Sequence, residues 1–119
     1  MLSALIFLLT IEPPFDWHQN AALSAIEWET CSLARISDHR DNQKPIEDVT
    51  AAAMATCVSA GERFEEFATK YYVEDKGLTS ETGRKMAQNE RANLNSSIHE
   101  KVAAVIATVR SNWVKKRTR

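Results

Sequence analysis

The sequence contains little glycine and little proline, with three residues of each among 119. Alanine is frequent, and apolar residues recur at spacings of three and four. This combination favours helices, because glycine and proline both weaken a helix interior and the spacing follows the 3.6-residue turn. The composition therefore predicts an all-α fold, and a chain of this length is sufficient for one domain with a modest core.

Motifs that bind metals or carry out catalysis are also missing. There is no His-x-x-x-His and no Cys-x-x-Cys pattern, and His18, His39 and His99 fall in different predicted elements. A structural zinc site is therefore not expected. The triplet at residues 39–41, His-Arg-Asp, has the letters of a kinase catalytic loop, but no glycine-rich loop precedes it. Cys57 lies on an apolar stripe, where a buried thiol is inert. We expect no catalytic residue, no metal and no cofactor, and hence no enzyme.

No apolar run in the sequence is long enough to cross a membrane, which takes about twenty residues. The one candidate is residues 1–11, an uncharged stretch ended by Glu12 and two prolines. Its length matches the apolar core of a signal peptide, although no Lys or Arg precedes it and no small-x-small cleavage site follows it cleanly. We interpret residues 1–12 as a signal-like leader and 13–119 as a single helical domain. The alternative is a first segment that packs on the helices as part of the core.

Cysteine is scarce too, since Cys31 and Cys57 are the only two. Each lies in a helical pattern, and a polar turn at residues 38–44 followed by Pro45 separates them. If one helix ends near Arg40 and the next begins at Pro45, the rise per residue offsets the two cysteines by about one turn or less. This is compatible with the Cα separation of roughly 4.4–6.8 Å in a disulfide. We predict a disulfide that cross-links a helical hairpin; two buried free thiols in a cytosolic bundle are the alternative.

Three helices are predicted, over about 16–38, 45–74 and 79–114. The second has the cleanest apolar repeat, and the third has poor helix-forming residues at 93–97. The first has two apolar stripes, which predicts burial on both sides. One stripe is Leu23, Ile26, Thr30 and Leu33, and the other is Trp17, Ala21, Ser24, Trp28 and Cys31. The predicted fold is a three-helix bundle: a helical hairpin cross-linked by one disulfide, with a long C-terminal helix against it.

Charge is distributed unevenly along the chain. Residues 1–80 carry six Lys and Arg against thirteen Asp and Glu, whereas residues 81–119 carry nine against three. The simplest explanation is that an acidic hairpin attracts a basic third helix. A nucleic-acid surface has little support, because one basic helix in a nearly neutral chain is a weak signal. The C-terminal cluster comprises Arg110, Trp113, Lys115, Lys116 and Arg117. It is a candidate partner surface that would bind phosphates or anionic lipid. The alternative is that its positive charge only complements the helix dipole.

The residues around the two cysteines carry a resemblance to a known group. The pattern Trp28-Glu-Thr-Cys31, then Pro45-Ile46, then Ala51-Ala-Ala-Met-Ala-Thr-Cys57 resembles small alanine-rich exported proteins of unknown function from alphaproteobacteria. The resemblance covers about residues 25–115, implies an exported helical protein, and supplies no catalytic residues. A tryptophan near the first of two cysteines is also similar to the small periplasmic acid-stress chaperones, whose cysteines lie further apart.

Two functions follow as hypotheses. The first is a periplasmic or secreted interaction or chaperone-like module, without catalytic activity and with a protein partner still to be identified. Homodimerisation through an apolar strip formed by Trp17, Trp28 and Trp113 is compatible with it. The alternative is a cytoplasmic regulatory or phage-type protein that binds an acidic partner or nucleic acid through its basic C-terminal helix.

Overall fold

The computed structural model describes residues 15–39 and 43–117. Its α-helices are α1 (Trp17–Ala34), α2 (Ile46–Ala55), α3 (Val58–Lys70) and α4 (Ser80–Arg117). A 3-10 turn, Arg35–His39, follows α1, and a π-helical turn, Tyr71–Asp75, follows α3. No strand occurs in the two described ranges, and the all-α prediction is confirmed. The predicted leader at residues 1–12 lies outside the described residues.

The helices form the predicted bundle. α1 packs mainly against α3, and α4 lies along both α2 and α3. The cross-linked hairpin is thus α1 on one side and α2 with α3 on the other, with the long C-terminal helix laid against it. The main core combines residues of all four helices: Trp28, Val49, Ala53, Met54, Cys57, Ala60, Ile98, Val102 and Ile106. A smaller apolar cluster consists of Ala21, Phe64, Ala68 and Ala87.

A glycine allows α1 and α3 to approach closely at the centre of the hairpin. A Cβ atom added to Gly61 would lie 3.0 Å from Cζ2 of Trp28 and 3.1–3.2 Å from two more atoms of the same ring. Trp28 is buried. The largest side chain of the core is therefore accommodated because the facing helix has no side chain at this position.

Capping residues at the start of α1 and after the π-helical turn lie where the sequence predicts them. The Asp16 carboxylate accepts a hydrogen bond from the Gln19 amide at 2.9 Å, which caps α1. Gly77 has φ +70°, the left-handed conformation that ends a helix, and the Leu78 amide donates back to the Tyr72 carbonyl at 3.0 Å. α4 is continuous through residues 93–97, because Leu94 within this stretch and Ile98 directly after it pack in the core.

The prediction of one uninterrupted second helix over 45–74 is wrong. The helix is interrupted at Thr56 and Cys57. The Thr56 hydroxyl donates to the Ala53 carbonyl at 2.9 Å, and the Cys57 amide donates to the Met54 carbonyl at 3.0 Å, three residues back instead of four. Both hydrogen bonds span three residues, which for the amide is the tighter 3-10 pattern. The break coincides with the residue that the disulfide joins to α1.

The prediction that α1 is covered on both sides is also wrong. Trp28, Ser24 and Ala21 are buried as expected. Most of the other stripe faces outwards, with Leu23 50% exposed and Ile26 59% exposed, whereas Leu33 at its end packs against the core. α1 makes most of its contacts with α3, so it is an outer helix of the bundle. In the described part of the chain, its second apolar face lies at the surface.

Ion pairs between α4 and the hairpin agree with the uneven charge distribution. Lys101 of α4 pairs with Glu29 of α1, and Arg91 of α4 lies 3.5 Å from Glu65 of α3. His99 Nε2 lies 3.8 Å from Glu47 of α2. Each exposed pair contributes only about 0–1 kcal/mol, so these contacts orient α4 on the hairpin more than they stabilise it.

A tyrosine at the π-helical turn links the far end of the hairpin to α4. The Tyr72 hydroxyl donates a hydrogen bond to Glu90 of α4. This hydrogen bond, together with partial burial and the nearby carboxylate charge, raises the pKa of Tyr72 from 10.0 to about 12. The hydrogen bond needs the protonated phenol, so high pH should weaken this attachment.

Replacing Gly61 with alanine is expected to lower the free energy of unfolding by about 1–2 kcal/mol. Overpacking a filled core costs about 1–3 kcal/mol, and the better helix propensity of alanine offsets up to about 1 kcal/mol. Urea unfolding followed by circular dichroism measures the change. In a Trp28→Phe background the smaller ring leaves room for the methyl group, and Gly61→Ala should be neutral or stabilising. An equal loss in both backgrounds would show that the ring contact is not the cause.

Tyr72 is expected to ionise with a midpoint near pH 12 in the folded protein. The folded state keeps this proton while the unfolded state loses it near pH 10.0, so the stabilisation is complete below about pH 10 and is lost as pH rises towards 12. In a Tyr71→Phe variant Tyr72 is the only tyrosine, and phenolate absorbance reports its titration. Adding Glu90→Gln should lower the midpoint, and an unchanged midpoint would exclude Glu90 as the cause. Circular dichroism at each pH confirms that the fold persists.

Candidate functional site

Cys31 and Cys57 form the predicted disulfide. Their sulfur atoms are 2.01 Å apart, and their Cα atoms are 5.9 Å apart. Cys57 is buried at the break between α2 and α3, and Cys31 is half-buried on α1. The covalent bond therefore joins α1 to the point at which the second helix is interrupted.

A groove of about 660 Å³ lies on one side of this break, where α2, α3 and α4 meet. Trp28 of α1 contributes to its wall from within the core, and the remaining apolar lining is short or flexible. The alanines are too small to fill the space between neighbouring helices, so their positions leave an open surface. The apolar lining residues are Trp28, Ala51, Met54, Ala55, Val58 and Ala92.

Polar side chains of α3 and α4 complete the lining of the groove. Glu65 and Arg91 form a partly buried ion pair across the two helices. His99 lies next to Glu47 of α2. The polar lining residues are Glu65, Gln88, Arg91, Asn95 and His99. The apolar lining suits the apolar side of a bound peptide or helix. The charged and amide side chains can bind polar groups of the same segment.

A second groove of about 550 Å³ lies next to the disulfide itself. Both cysteines line it, together with the exposed Ile26 of α1 and the hydroxyl residues Thr56 and Ser59. Arg63 and Glu27 form an ion pair at its edge, with 3.2 Å between Nη2 and Oε2. This groove belongs to the outer face of α1, whose apolar stripe was predicted to be covered.

The predicted C-terminal partner surface lies along about the last two turns of α4. Arg110 donates a hydrogen bond to the Lys44 carbonyl at 2.7 Å, which ties α4 to the start of α2. Trp113 is 43% exposed, and Lys115 and Lys116 are exposed. Arg117 is the last residue of the helix. The structure thus places the five residues on one helix and uses Arg110 as a contact within the fold.

The histidines are not brought together. The ring of His18 packs against Tyr71 with centroids 5.0 Å apart, and His99 lies at the groove. His39 ends the 3-10 turn, and Arg40 and Asp41 of the kinase-like triplet lie outside the described residues. No group of three or more His, Cys, Asp or Glu residues that could hold a metal occurs in the described ranges. Among these same residues, no helix combines the length and the apolar character needed to span a bilayer.

Most of the groove residues were not identified from the sequence. The signal in the sequence that indicated this region was the alanine-rich run at 51–55, which predicted close approach of a neighbouring helix. No sequence motif marks the α4 residues of the lining, because they share only a position on the side of the helix that faces the break. These residues are Gln88, Arg91, Ala92 and Asn95. Their role in the lining depends on the packing of helices that are distant in sequence.

Comparison of the chain with models of protein families, with curated proteins and with solved structures gives no match in any of the three. The resemblance to small exported proteins therefore stays a prediction. The features of the molecule that bear on function are the groove, the disulfide and the C-terminal helix.

Removing the disulfide through the pair of substitutions Cys31→Ser and Cys57→Ala is expected to lower the free energy of unfolding by about 3–4 kcal/mol. The bond closes a loop with a sequence separation of 26, and this is the size of the chain-entropy effect for such a loop. Urea unfolding measures the loss. Reduction of the unmodified protein is the control, since it should give a similar loss without any substitution. A change below about 1 kcal/mol in both experiments would contradict the structural role of the bond.

Proposed function

We propose that this protein is an exported, non-catalytic helical module that binds apolar segments of other proteins in the groove between α2, α3 and α4. The observation that carries the proposal is the lining of that groove. It combines apolar residues with polar and charged ones, and such a lining suits an amphipathic helix or an extended apolar peptide.

The side chains in the groove support a broad, chaperone-like specificity. The exposed alanines Ala51, Ala55 and Ala92 allow the backbone of a bound segment to approach closely. The polar lining includes one carboxylate, one guanidinium and two amides, from Glu65, Arg91, Gln88 and Asn95. This balance of charge accommodates segments of either sign and does not select one.

The same lining supports a binding role over a catalytic one. Among the described lining residues there is no serine, threonine, cysteine or lysine side chain that could act as a nucleophile beside His99. Both cysteines of the chain are joined in the disulfide. The second hypothesis, a protein that binds an acidic partner or nucleic acid through α4, draws on different residues and is separable from the groove by mutation.

Export is supported by the disulfide, because such bonds persist in oxidising compartments and are rare in the cytosol. Protein isolated from its native cells without reductant is expected to be lighter than its reduced form by two hydrogen atoms in intact mass measurements. Trapping of free thiols at lysis is the control against oxidation during isolation. Recovery of two labelled thiols would contradict the proposed compartment.

The groove is tested with Ala92→Glu, which places a carboxylate on its apolar surface. Binding to a permanently unfolded protein, reduced and carboxymethylated α-lactalbumin, is measured by fluorescence anisotropy. We expect at least about a tenfold loss of affinity, since an unpaired charge buried beneath a partner costs more than about 1.4 kcal/mol.

Ala104→Glu is the matched control for this experiment. It makes the same change at another exposed alanine of α4, outside the groove lining. This variant should bind like the unmodified protein. Equal affinities of both variants, or no binding by the unmodified protein, would contradict the proposed function.

A further inference from the structure

The apolar face of α4 continues beyond the part of the helix that the hairpin covers. Ile98, Val102 and Ile106 are buried in the core, and none of the α4 residues 107–116 is buried. Val105 lies seven residues, about two turns, after Ile98 and therefore shares its face. This face continues through Val109 and Trp113, at intervals of four residues. The three side chains are 40%, 43% and 43% exposed.

The opposite side of this segment carries the exposed residues Thr108, Ser111 and Lys115, together with one exposed apolar residue, Val114. The charge of the segment is of one sign. The sequence contains no Asp or Glu after Glu100. The cations of this region are Lys101, Arg110, Lys115, Lys116, Arg117 and Arg119. Four of these six cations, Lys115, Lys116, Arg117 and Arg119, lie within the last five residues of the sequence.

We propose that residues 105–117 bind the surface of an anionic lipid bilayer. The segment lies parallel to the membrane, with Val105, Val109 and Trp113 at the boundary between headgroups and acyl chains. Lys115 and Lys116 contact the lipid phosphates. A helix of this kind needs an apolar face, a polar face and basic residues, and a tryptophan at headgroup level is typical of such interfaces. The interaction is independent of the groove.

The position of the cations favours a membrane over nucleic acid. A nucleic-acid surface has its Lys and Arg on the face that meets the phosphates. Here the face that projects from the bundle is apolar, and the basic cluster lies at its C-terminal end. Apolar side chains and cations together provide the two contributions that reversible membrane binding requires.

The test is cosedimentation of the full chain with vesicles at low ionic strength. One set of vesicles contains phosphatidylglycerol and phosphatidylcholine, and the other contains phosphatidylcholine alone. We expect the unmodified protein to bind the anionic vesicles. Combining Lys115→Gln with Lys116→Gln should lower the affinity about twenty-fivefold, since each cation contributes about fivefold. Trp113→Ser should lower the affinity at least tenfold. The matched control, Arg84→Gln with Lys85→Gln, removes the same charge from exposed residues at the other end of α4 and should bind like the unmodified protein.

Several results would overturn the proposal. Equal binding to neutral and anionic vesicles would exclude an electrostatic contribution to membrane binding. Equal losses of affinity for the two double Gln variants would show a nonspecific effect of net charge. Unchanged binding of Trp113→Ser would exclude insertion of the apolar face. Tighter binding of single-stranded RNA than of anionic vesicles at the same salt concentration would assign the basic cluster to nucleic acid. Circular dichroism of each variant shows that it remains folded.

Discussion

The bond between Cys31 and Cys57 and the contact beside it determine how the hairpin is built. Trp28 lies one turn before Cys31 on α1, and Gly61 lies one turn after Cys57 on α3. The covalent link and the contact between Trp28 and Gly61 are therefore on adjacent turns. A domain of this size has a total stability of about 5–15 kcal/mol. A cross-link worth about 3–4 kcal/mol is a large share of that, and the geometry of α1 against α3 depends on it.

The interruption of the second helix has consequences for the surface of the molecule. Both grooves lie beside the break, one lined by residues of α2, α3 and α4 and the other by the disulfide and the outer face of α1. Small residues permit close helix packing at the core, but the same small residues leave hollows where a helix faces outwards. The concentration of alanine near Cys57 thus accounts for a tight interior and an open surface in the same region.

Electrostatics has a different role at each end of α4. Where α4 lies on the hairpin, its cations face carboxylates of the acidic helices, as Arg91 faces Glu65 and Lys101 faces Glu29. These weak pairs favour one orientation of the helix over the reverse. Beyond the hairpin, the helix carries only positive charge together with an exposed apolar face. One continuous helix therefore combines a half that packs on the hairpin with a half whose apolar face is exposed.

Features that depend on a few neighbouring residues were predictable from the sequence. The cap at Asp16, the glycine turn at Gly77 and the all-α class each follow from local hydrogen bonding and conformational preference. The disulfide was also predictable, because the lengths of two helices and one turn constrain the distance between the cysteines. The uneven charge indicated correctly that α4 lies against the hairpin.

The break at Cys57, the exposure of Leu23 and Ile26, and the groove were decided by the tertiary structure. The apolar repeat from Ile46 to Tyr71 is the same for a straight helix and an interrupted one, so periodicity alone does not distinguish them. Likewise, an apolar stripe indicates that a helix face is suited to burial, but burial requires a neighbouring element on that side. In the described chain α1 has such a neighbour on one side, and the packing of α1 against α3 determines which of its two stripes enters the core.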